Sequence, residues 1–213
     1  GINIDILRAL SKSMNRDFDI RLMKWSEAQE MLKYGKVHAL TEMAYSESRA
    51  HFFDFSDQTL LYKYSFFVRH DDENIHQLSE ATGKTIAVTK GGYPFQLMAP
   101  NSNITLLIVD SYLEGFQQLL GGGVDAVAAD SWVGAYLLEE HNLIDQIKYD
   151  NRSFAEQPGF IAVKKGNTEL LTEINRGITK LKEEGEIQKI FDKWSGDSLA
   201  DRPDGSRARF TLS

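Results

Sequence analysis

The sequence has no cysteine among its 213 residues, only four prolines, and no apolar run near the roughly 20 residues that a membrane-spanning helix needs. The absence of cysteine excludes disulfides and thiolate metal sites, so the fold must be stable without covalent links. A net charge of −7 and the lack of a dense basic run argue against nucleic acid as a partner. With 42% hydrophobic and 26% charged residues, the composition is typical of a globular protein of one large or two small domains.

Two stretches of the chain, residues 32–40 and 119–127, follow the same pattern. Each reads as the end of a helix, a glycine stop and a short buried strand. The same unit found twice indicates two lobes built on one plan. Beyond the two strands lie Arg49 and Asp130. A guanidinium pairs bidentately with a carboxylate, and a carboxylate accepts hydrogen bonds from an amine. A cleft between the two lobes with one of these groups on each wall would therefore suit a small zwitterion.

Both charged residues also have ordinary structural interpretations. Arg49 would be a surface arginine if it only bridged Glu47 or Asp54. Asp130 would be a helix N-cap, because Ser131 begins a helical pattern, and this role is compatible with ligand binding. Composition alone favours the structural role for Arg49, so its assignment to a site depends on the wider pattern described below.

Apolar spacing predicts an alternation of helices and strands. Helices are predicted over residues 2–14, 26–34 (capped by Ser26), 113–120, 133–140 and 170–194, the last with a break near Gly185; strands are predicted over residues 18–23, 37–43, 65–68, 86–89, 106–109, 124–129 and 159–163. This alternation predicts the α/β class with largely parallel sheets.

The middle of the chain reads as an insertion between two parts of one lobe. We expect lobe 1 to comprise residues 1–68 and 156–197, lobe 2 to comprise residues 69–155, and residues 198–213 to form a linker or tail. Two crossing strands would then act as a hinge. The chain opens inside a structured element with no visible signal peptide, so we expect the natural sequence to start further upstream.

An ordered set of motifs resembles the type II periplasmic solute-binding proteins of family 3, the amino-acid-binding "Venus flytrap" fold. The matching segments are residues 1–5, 47–56, 83–91, 124–130 and 191–194. The resemblance implies two α/β lobes joined by two crossing hinge strands, with a small amino acid or carboxylate bound between them. It also implies a periplasmic, non-catalytic protein that needs no cofactor.

The resemblance assigns ligand-binding roles to specific residues. It implies that Arg49 and first-lobe backbone groups hold the ligand carboxylate while Asp130 holds an amine. The other residues that it places in the site are Trp25, Thr41, Met43, Ala44, Gly91, Gly92 and Tyr93. Each also has a plain alternative: the glycines form a tight turn, and the aromatic residues belong to the core.

Two departures from the family pattern bear on the ligand and on the fold. The family often has serine or threonine hydroxyls where Ala44, Gly92 and Tyr93 stand. Because hydroxyls that contact the ligand are then lost, it is an open question whether the ligand is a standard amino acid. The family also begins with a strand before residue 1. Either that strand is missing from this sequence or residues 208–212 take its place.

Residues 25–28, 44–49 and 53–56 resemble most the versions fused to histidine kinases or diguanylate cyclases. The resemblance then implies an extracytoplasmic sensor domain that is tethered to the inner membrane and binds a small ligand. It leaves open whether the domain dimerises. One alternative is a free binding protein of an amino-acid ABC transporter. A second is an enzyme of the cyclohexadienyl-dehydratase type, for which Glu42 would be the one candidate acid.

Other chemistries find no support in the sequence. The run 83–85 imitates the end of a P-loop, but the position of its first glycine is occupied by Leu78. The five histidines show no metal-binding spacing on one helix, and no Gly-x-Ser-x-Gly motif is present. We therefore expect neither a metal nor a catalytic residue in this chain.

Overall fold

The computed structural model describes residues 1–195, so the predicted linker over 198–213 and its segment 208–212 lie outside the described residues. The helices are α1 (Ile2–Met14), α2 (Trp25–Lys33), α3 (Glu47–Ala50), α4 (Tyr93–Met98), α5 (Tyr112–Leu120), α6 (Ser131–Glu140), α7 (Thr168–Glu183) and α8 (Glu186–Ser195), with a 3-10 turn at Leu78–Ala81. The strands are β1 (Ala39–Ala44), β2 (Phe53–Phe55), β3 (Leu60–Arg69), β4 (Thr85–Thr89), β5 (Thr105–Val109), β6 (Ala126–Asp130), β7 (Ile147–Tyr149) and β8 (Ala155–Lys164).

The chain divides into two compact units. Unit 1 comprises Gly1–Leu61 and Gln157–Trp194, and unit 2 comprises Tyr62–Glu156. The chain leaves unit 1 within β3 and returns within β8, so two extended segments connect the units covalently. Each unit contains strands and helices with apolar residues between them, which is the layered arrangement of an α/β protein.

Unit 1 is organised around β8, which lies between β1 and β2 and pairs with both in the antiparallel sense. The pairing of β1 is irregular between Leu40 and Met43, where Glu42 has a φ of 64°. Such a left-handed conformation is unusual for a residue other than glycine, and it marks this bulge as a strained point. Met43 packs with Leu32 of α2 in the core beneath the strands.

Helix α1 begins and ends where the sequence predicts. Ile6 and Leu10 are buried on one face, and the helix stops at Asn15, whose φ of 51° breaks the helical path. Helix α7 packs beside α1, and the chain breaks at Gly185 (φ 70°) before α8, as the sequence predicts. A glycine takes this conformation without strain, so the break follows directly from the residue type.

Unit 2 contains a five-stranded mixed sheet in the order β7, β3, β6, β4, β5. Strand β4 pairs in parallel with β5 and β6, whereas β3 pairs in the antiparallel sense with β6 and β7. The central strands β4 and β6 are buried on both faces of the sheet. Phe66 packs in one core and its neighbour Phe67 in the other.

Three predictions about secondary structure are wrong. Residues 18–23 alternate in polarity but form no strand, because no neighbouring strand among residues 1–195 accepts their backbone hydrogen bonds. Helix α2 begins at Trp25 with Lys24 as its N-cap, so Ser26 lies inside the helix and does not cap it. The sheets are also less parallel than predicted, because β8 pairs only in the antiparallel sense with β1 and β2.

The packing of Gly134 against Phe67 gives a test of the unit 2 core. A Cβ at position 134 of α6 would lie 2.3 Å from Cζ of Phe67, whose ring is buried and stacks on Tyr149 at 4.5 Å. We expect Gly134→Ala to lower the free energy of unfolding by about 1–3 kcal/mol, because a confined ring cannot yield and overpacking outweighs the gain of about 1 kcal/mol in helix propensity. Urea denaturation measures this change.

Gly177→Ala is the matched control, since its Cβ would also come close to a side chain. There the nearest atoms are Cδ1 of Leu10 at 2.6 Å and Cγ of Met14 at 3.1 Å, which belong to flexible aliphatic chains. We expect almost no net change at this position, because these chains can move while helix propensity improves. Equal losses at both glycines would contradict the distinction between a rigid and a flexible neighbour.

Candidate functional site

Arg49 lies in unit 1, where three of the predicted site residues come together. It belongs to the short helix α3, whose N-cap Ser46 accepts a hydrogen bond from the Arg49 backbone N–H at 3.2 Å. The guanidinium donates from Nη1 to the carbonyl oxygen of Ala44 at 2.9 Å, and its Cζ lies 5.7 Å from the centre of the Trp25 ring. The strand end, the short helix and the indole therefore fix the position of the guanidinium. Because a guanidinium carries five N–H donors, it can keep the bond to Ala44 and still bind a carboxylate.

The remaining predicted residues of unit 1 offer backbone groups more than side chains. Met43 is fully buried in the core, and Ala44 is nearly so. The Thr41 hydroxyl is buried and has no hydrogen-bond partner within residues 1–195. Glu42, the one candidate acid of the dehydratase alternative, is exposed and accepts a hydrogen bond from the Asn3 side chain.

Asp130 ends strand β6 in unit 2, and its side chain is 8% exposed. It is the N-cap of α6, as the sequence indicates. Its Oδ1 accepts hydrogen bonds from the backbone N–H groups of Trp132 at 2.9 Å and Val133 at 3.0 Å. Within the described part of the chain, Oδ2 accepts no hydrogen bond and no cation forms an ion pair with the carboxylate. A largely buried carboxylate that no cation among the described residues neutralises is a natural acceptor for a cationic ligand.

Burial also changes how Asp130 ionises. Desolvation raises the pKa of the carboxyl to about 6, although the two hydrogen bonds from Val133 and Trp132 act to lower it. Burial disfavours the charged form because the protein interior solvates a charge less well than water does. A cation placed beside Oδ2 would reverse this effect and lower the pKa.

Two tyrosines near Asp130 were not predicted from the sequence. Tyr64 is the direct cross-strand partner of Asp130 on β3, and its ring lies 5.3 Å from the ring of Tyr93. The Tyr112 hydroxyl accepts a hydrogen bond from the Asp130 backbone N–H at 3.2 Å. Tyr93 and Asp130, both predicted as site residues, thus lie in one region of unit 2 with Tyr64 between them. The pairing register that brings Tyr64 there leaves no local sequence signal.

The predicted glycines occupy the turn that precedes α4. Gly91 has a φ of 70°, which favours glycine, and a Cβ on Gly92 would lie 2.8 Å from the Thr89 hydroxyl. Both residues are therefore required by the turn itself. Helix α4 has only six residues, so its N-terminus alone defines no anion site. Their role in binding stays a prediction.

Neither a metal site nor a membrane span emerges from the described residues. Within residues 1–195, no group of three or more histidine, aspartate or glutamate side chains is placed to hold a metal ion. None of the helices in that range combines the length and the apolar character needed to cross a bilayer.

The fold is that of an amino-acid-binding type of solute-binding protein. The chain belongs to the bacterial extracellular solute-binding proteins, family 3, whose family model matches residues 1–197. This confirms the family and the fold class predicted from the sequence. The family is extracytoplasmic, in agreement with the coarser part of the predicted location.

Several proteins resemble this chain over most of its length. A histidine kinase sensor domain with similarity to periplasmic binding proteins superposes with a TM-score of 0.84 at 28% identity and covers 92% of this chain and 86% of its own. An ancestral arginine-binding protein bound to glutamine has a TM-score of 0.83 at 29% identity and covers 92% of this chain and 88% of its own. The ABC transporter glutamine-binding protein GlnH of Bacillus subtilis is 28% identical over 91% of this chain and 72% of its own length.

The raised pKa of Asp130 predicts a specific dependence of stability on pH. A carboxyl whose pKa rises on folding from 3.8 to about 6 favours the native state most when it is protonated. Its contribution is fully present below about pH 4 and is lost as the pH rises through about 6, a total of about 3 kcal/mol. Asn is neutral at every pH and can also cap a helix. We therefore expect Asp130→Asn to gain stability relative to the wild type between pH 4 and pH 7 in urea titrations.

The comparison needs a control for the loss of one negative charge. Asp145→Asn serves this purpose, because Asp145 is exposed and lies away from the cap of α6. Its difference from the wild type should change little over the same pH range. A pH-independent difference for Asp130→Asn would show that burial does not perturb this carboxyl.

Proposed function

We propose that this chain is the extracytoplasmic ligand-sensing domain of a bacterial transmembrane receptor, a sensor histidine kinase, and that it binds a small amino acid or carboxylate. The observation that carries the binding part is a pair of charged groups, one in each unit: Arg49 on the short helix that follows β1, and Asp130 at the end of β6. Arg49 is held in place by Ala44 and Trp25, and Asp130 is a buried carboxylate without a cation among the described residues. Membership of an amino-acid-binding family supports this proposal.

In the proposed mechanism, each charged residue recognises one end of the ligand. Arg49 binds the carboxylate, helped by backbone groups of Thr41, Met43 and Ala44, while Asp130 accepts the amine from the second lobe. Gly91, Gly92, Tyr93 and Trp25 complete the predicted site. A ligand that contacts both lobes favours a closed state by its differential affinity, and about 5.5 kcal/mol would move the populations from 1:99 to 99:1.

The role as a receptor is supported by the likeness to the histidine kinase sensor domain. The same fold serves transporter binding proteins, of which GlnH is one relative, so a free solute-binding protein is the second candidate. The two candidates share the ligand chemistry and differ in the output. A dose-dependent change in autophosphorylation of the full-length protein in membranes would support the receptor, and ligand-dependent uptake through a permease would support the transporter.

Calorimetry tests the binding proposal directly. We expect at least one ligand from a panel of amino acids and small carboxylates to bind the wild type. Arg49→Ala should weaken it about 10- to 100-fold, because charge-assisted hydrogen bonds contribute about 1.5–3 kcal/mol. Asp130→Asn should weaken ligands with an amine by a similar factor and leave amine-free carboxylates unchanged. Affinity for amines should also rise as the pH increases through about 6, because Asp130 must ionise.

Arg21→Ala is the matched control for the loss of an arginine from unit 1. The Arg21 side chain is 62% exposed and pairs with Asp19 at 2.7 Å. Binding should be unchanged in this variant. Equal affinity of the wild type and Arg49→Ala would remove Arg49 from the site, and the release of product from prephenate or arogenate would show the chain to be an enzyme.

A further inference from the structure

Strand β5 lies at one end of the unit 2 sheet, and one of its two edges is open. Within residues 1–195 it pairs with β4 alone, in the parallel sense. The backbone N–H of Thr105 donates to the carbonyl oxygen of Lys84 at 3.0 Å, so the backbone groups of Thr105 face β4. Because successive residues of a strand point their backbone groups to opposite edges, those of Leu106 and Ile108 face the open edge.

The open edge of β5 lacks the features by which natural proteins prevent pairing between sheets. Protected edges are usually very short, or they carry a charge, a proline or a bulge. Strand β7, at the other end of the same sheet, has three residues and includes Lys148. β5 has five residues, none of them charged and none a proline, and its register with β4 is regular. Ile108 is 50% exposed. The edge is therefore suited to pairing with a further strand.

We propose that β5 pairs in the antiparallel sense with β5 of a second copy of this chain, about a two-fold axis through Leu107. In this register the N–H of Leu106 donates to the carbonyl oxygen of Ile108 in the second copy, and the N–H of Ile108 donates to the carbonyl oxygen of Leu106. The two-fold axis repeats both hydrogen bonds. Such an interface is self-complementary and closes after two chains.

Hydrogen bonds at the two ends of β5 select this register. An axis through Leu106 would place Ile108 opposite Ile104, whose N–H already donates to a carbonyl oxygen of the preceding turn. An axis through Ile108 would place Leu106 opposite Asp110, whose N–H already donates to a carboxylate of α5. Of these three axes, the one through Leu107 leaves both existing bonds in place and uses the outward-facing groups of both residues.

The packing of side chains also favours this pairing. Residues directly opposite each other on antiparallel strands place their side chains on the same face, so Ile108 would lie beside Leu106 of the second copy. Leu106 is half-buried at the margin of an apolar core cluster that contains Phe66 and Val88. Ile108 would thus extend this core across the axis, and the exposed area of both side chains would be removed from water.

Charge does not oppose the pairing at close range. The first charged residue after β5 is Asp110, and in the proposed dimer its two copies lie at opposite ends of the paired strands. With a rise of about 3.4 Å per residue they are separated by about 20 Å, which exceeds the Debye length of about 8 Å. An interface of one strand from each chain is small beside the roughly 1,600 Å² of a standard complex. We therefore expect a weak dimer in free solution and a stronger one where a membrane tether raises the local concentration.

Cysteine cross-linking tests the register, because the chain has no cysteine of its own. Leu107 would lie opposite its own copy at a non-hydrogen-bonded position, where Cα atoms are about 4.5 Å apart, a distance that a disulfide spans. We expect Leu107→Cys to form a disulfide-linked dimer under mild oxidation, seen by non-reducing electrophoresis. Ile108→Cys is the matched control. Its two copies would lie on a diagonal about 7–8 Å apart, beyond the reach of a disulfide, so it should stay largely monomeric.

Sedimentation velocity tests the association without an added cysteine. Between about 1 μM and about 1 mM, the sedimentation coefficient of the wild type should rise from the value of a monomer towards that of a dimer. Ile108→Lys should abolish this rise, because a lysine on an edge strand opposes pairing with another edge. Tyr136→Lys is the control, since Tyr136 is 47% exposed on another element of unit 2, the helix α6. This variant should associate like the wild type.

Several results would overturn the proposed dimer. They are a wild type that stays monomeric at the highest concentration, equal cross-linking of Leu107→Cys and Ile108→Cys, and an association that Ile108→Lys leaves intact. If Leu107→Cys does not fold, the sedimentation series decides the question alone. The strand pairing does not involve the ligand site, so ligand binding by a monomeric chain would remove the dimer and leave the proposed function standing.

Discussion

The burial of one carboxylate at the junction of β6 and α6 is the constraint on which the chemistry of unit 2 depends. Strand β6 is buried along its whole length, and Asp130 ends it at the point where α6 begins. The helix requires an acceptor for its first N–H groups, and the Oδ1 of Asp130 supplies it. The same geometry removes the charge from water, which raises the pKa and leaves Oδ2 to be satisfied from outside the cap. The structural cap of α6 and the proposed ligand acceptor are therefore the same side chain.

Unit 1 fixes its charged group in another way. Arg49 is on a four-residue helix that would not be stable alone. Ser46 caps the start of this helix, while Ala44 and Trp25 contact the guanidinium. The bulge around Glu42 precedes this helix and interrupts the pairing of β1 with β8. Strained backbone of this kind persists only where surrounding structure holds it, and it is often found beside functional sites. Beyond the bulge, at the end of β1, the Ala44 carbonyl oxygen accepts a hydrogen bond from the guanidinium.

The sequence predicted the features that depend on local residue types. The ends of α1, the break at Gly185 and the cap at Asp130 each follow from a short pattern with a direct physical cause. Pairing between distant strands has no such local signal, which is why Tyr64 was missed although it lies opposite Asp130. The prediction of Ser26 as the cap of α2 failed for a different reason. A serine that suits a cap is also tolerated one residue inside a helix, so its presence does not fix where the helix begins.

The wrong strand at residues 18–23 shows how much a strand depends on its neighbours. In unit 2, β6 lies between β3 and β4, so both of its edges are paired. Its counterpart in the sequence repeat, β1, pairs with β8 on one edge only. Along the other edge runs a groove of about 590 Å³, lined by residues 37–41, by Leu10 and Ile174 from the helices, and by Phe18 and Ile20 from the predicted strand.

The groove therefore separates β1 from residues 18–23. Both segments have the polarity pattern of a strand, but no strand within residues 1–195 lies between them to pair with both. Alternating polarity shows that one face of residues 18–23 suits burial, and it says nothing about whether an adjacent backbone is present. Leu22 continues the alternation of Phe18 and Ile20 but is 82% exposed and does not line the groove. In unit 1, the free edge of β1 and residues 18–23 do not pair, because no strand within residues 1–195 lies between them. In unit 2, β4 lies at the corresponding edge of β6 and pairs with β6 on one side and with β5 on the other. The same local plan thus pairs both edges of β6 in one unit and leaves one edge of β1 open in the other.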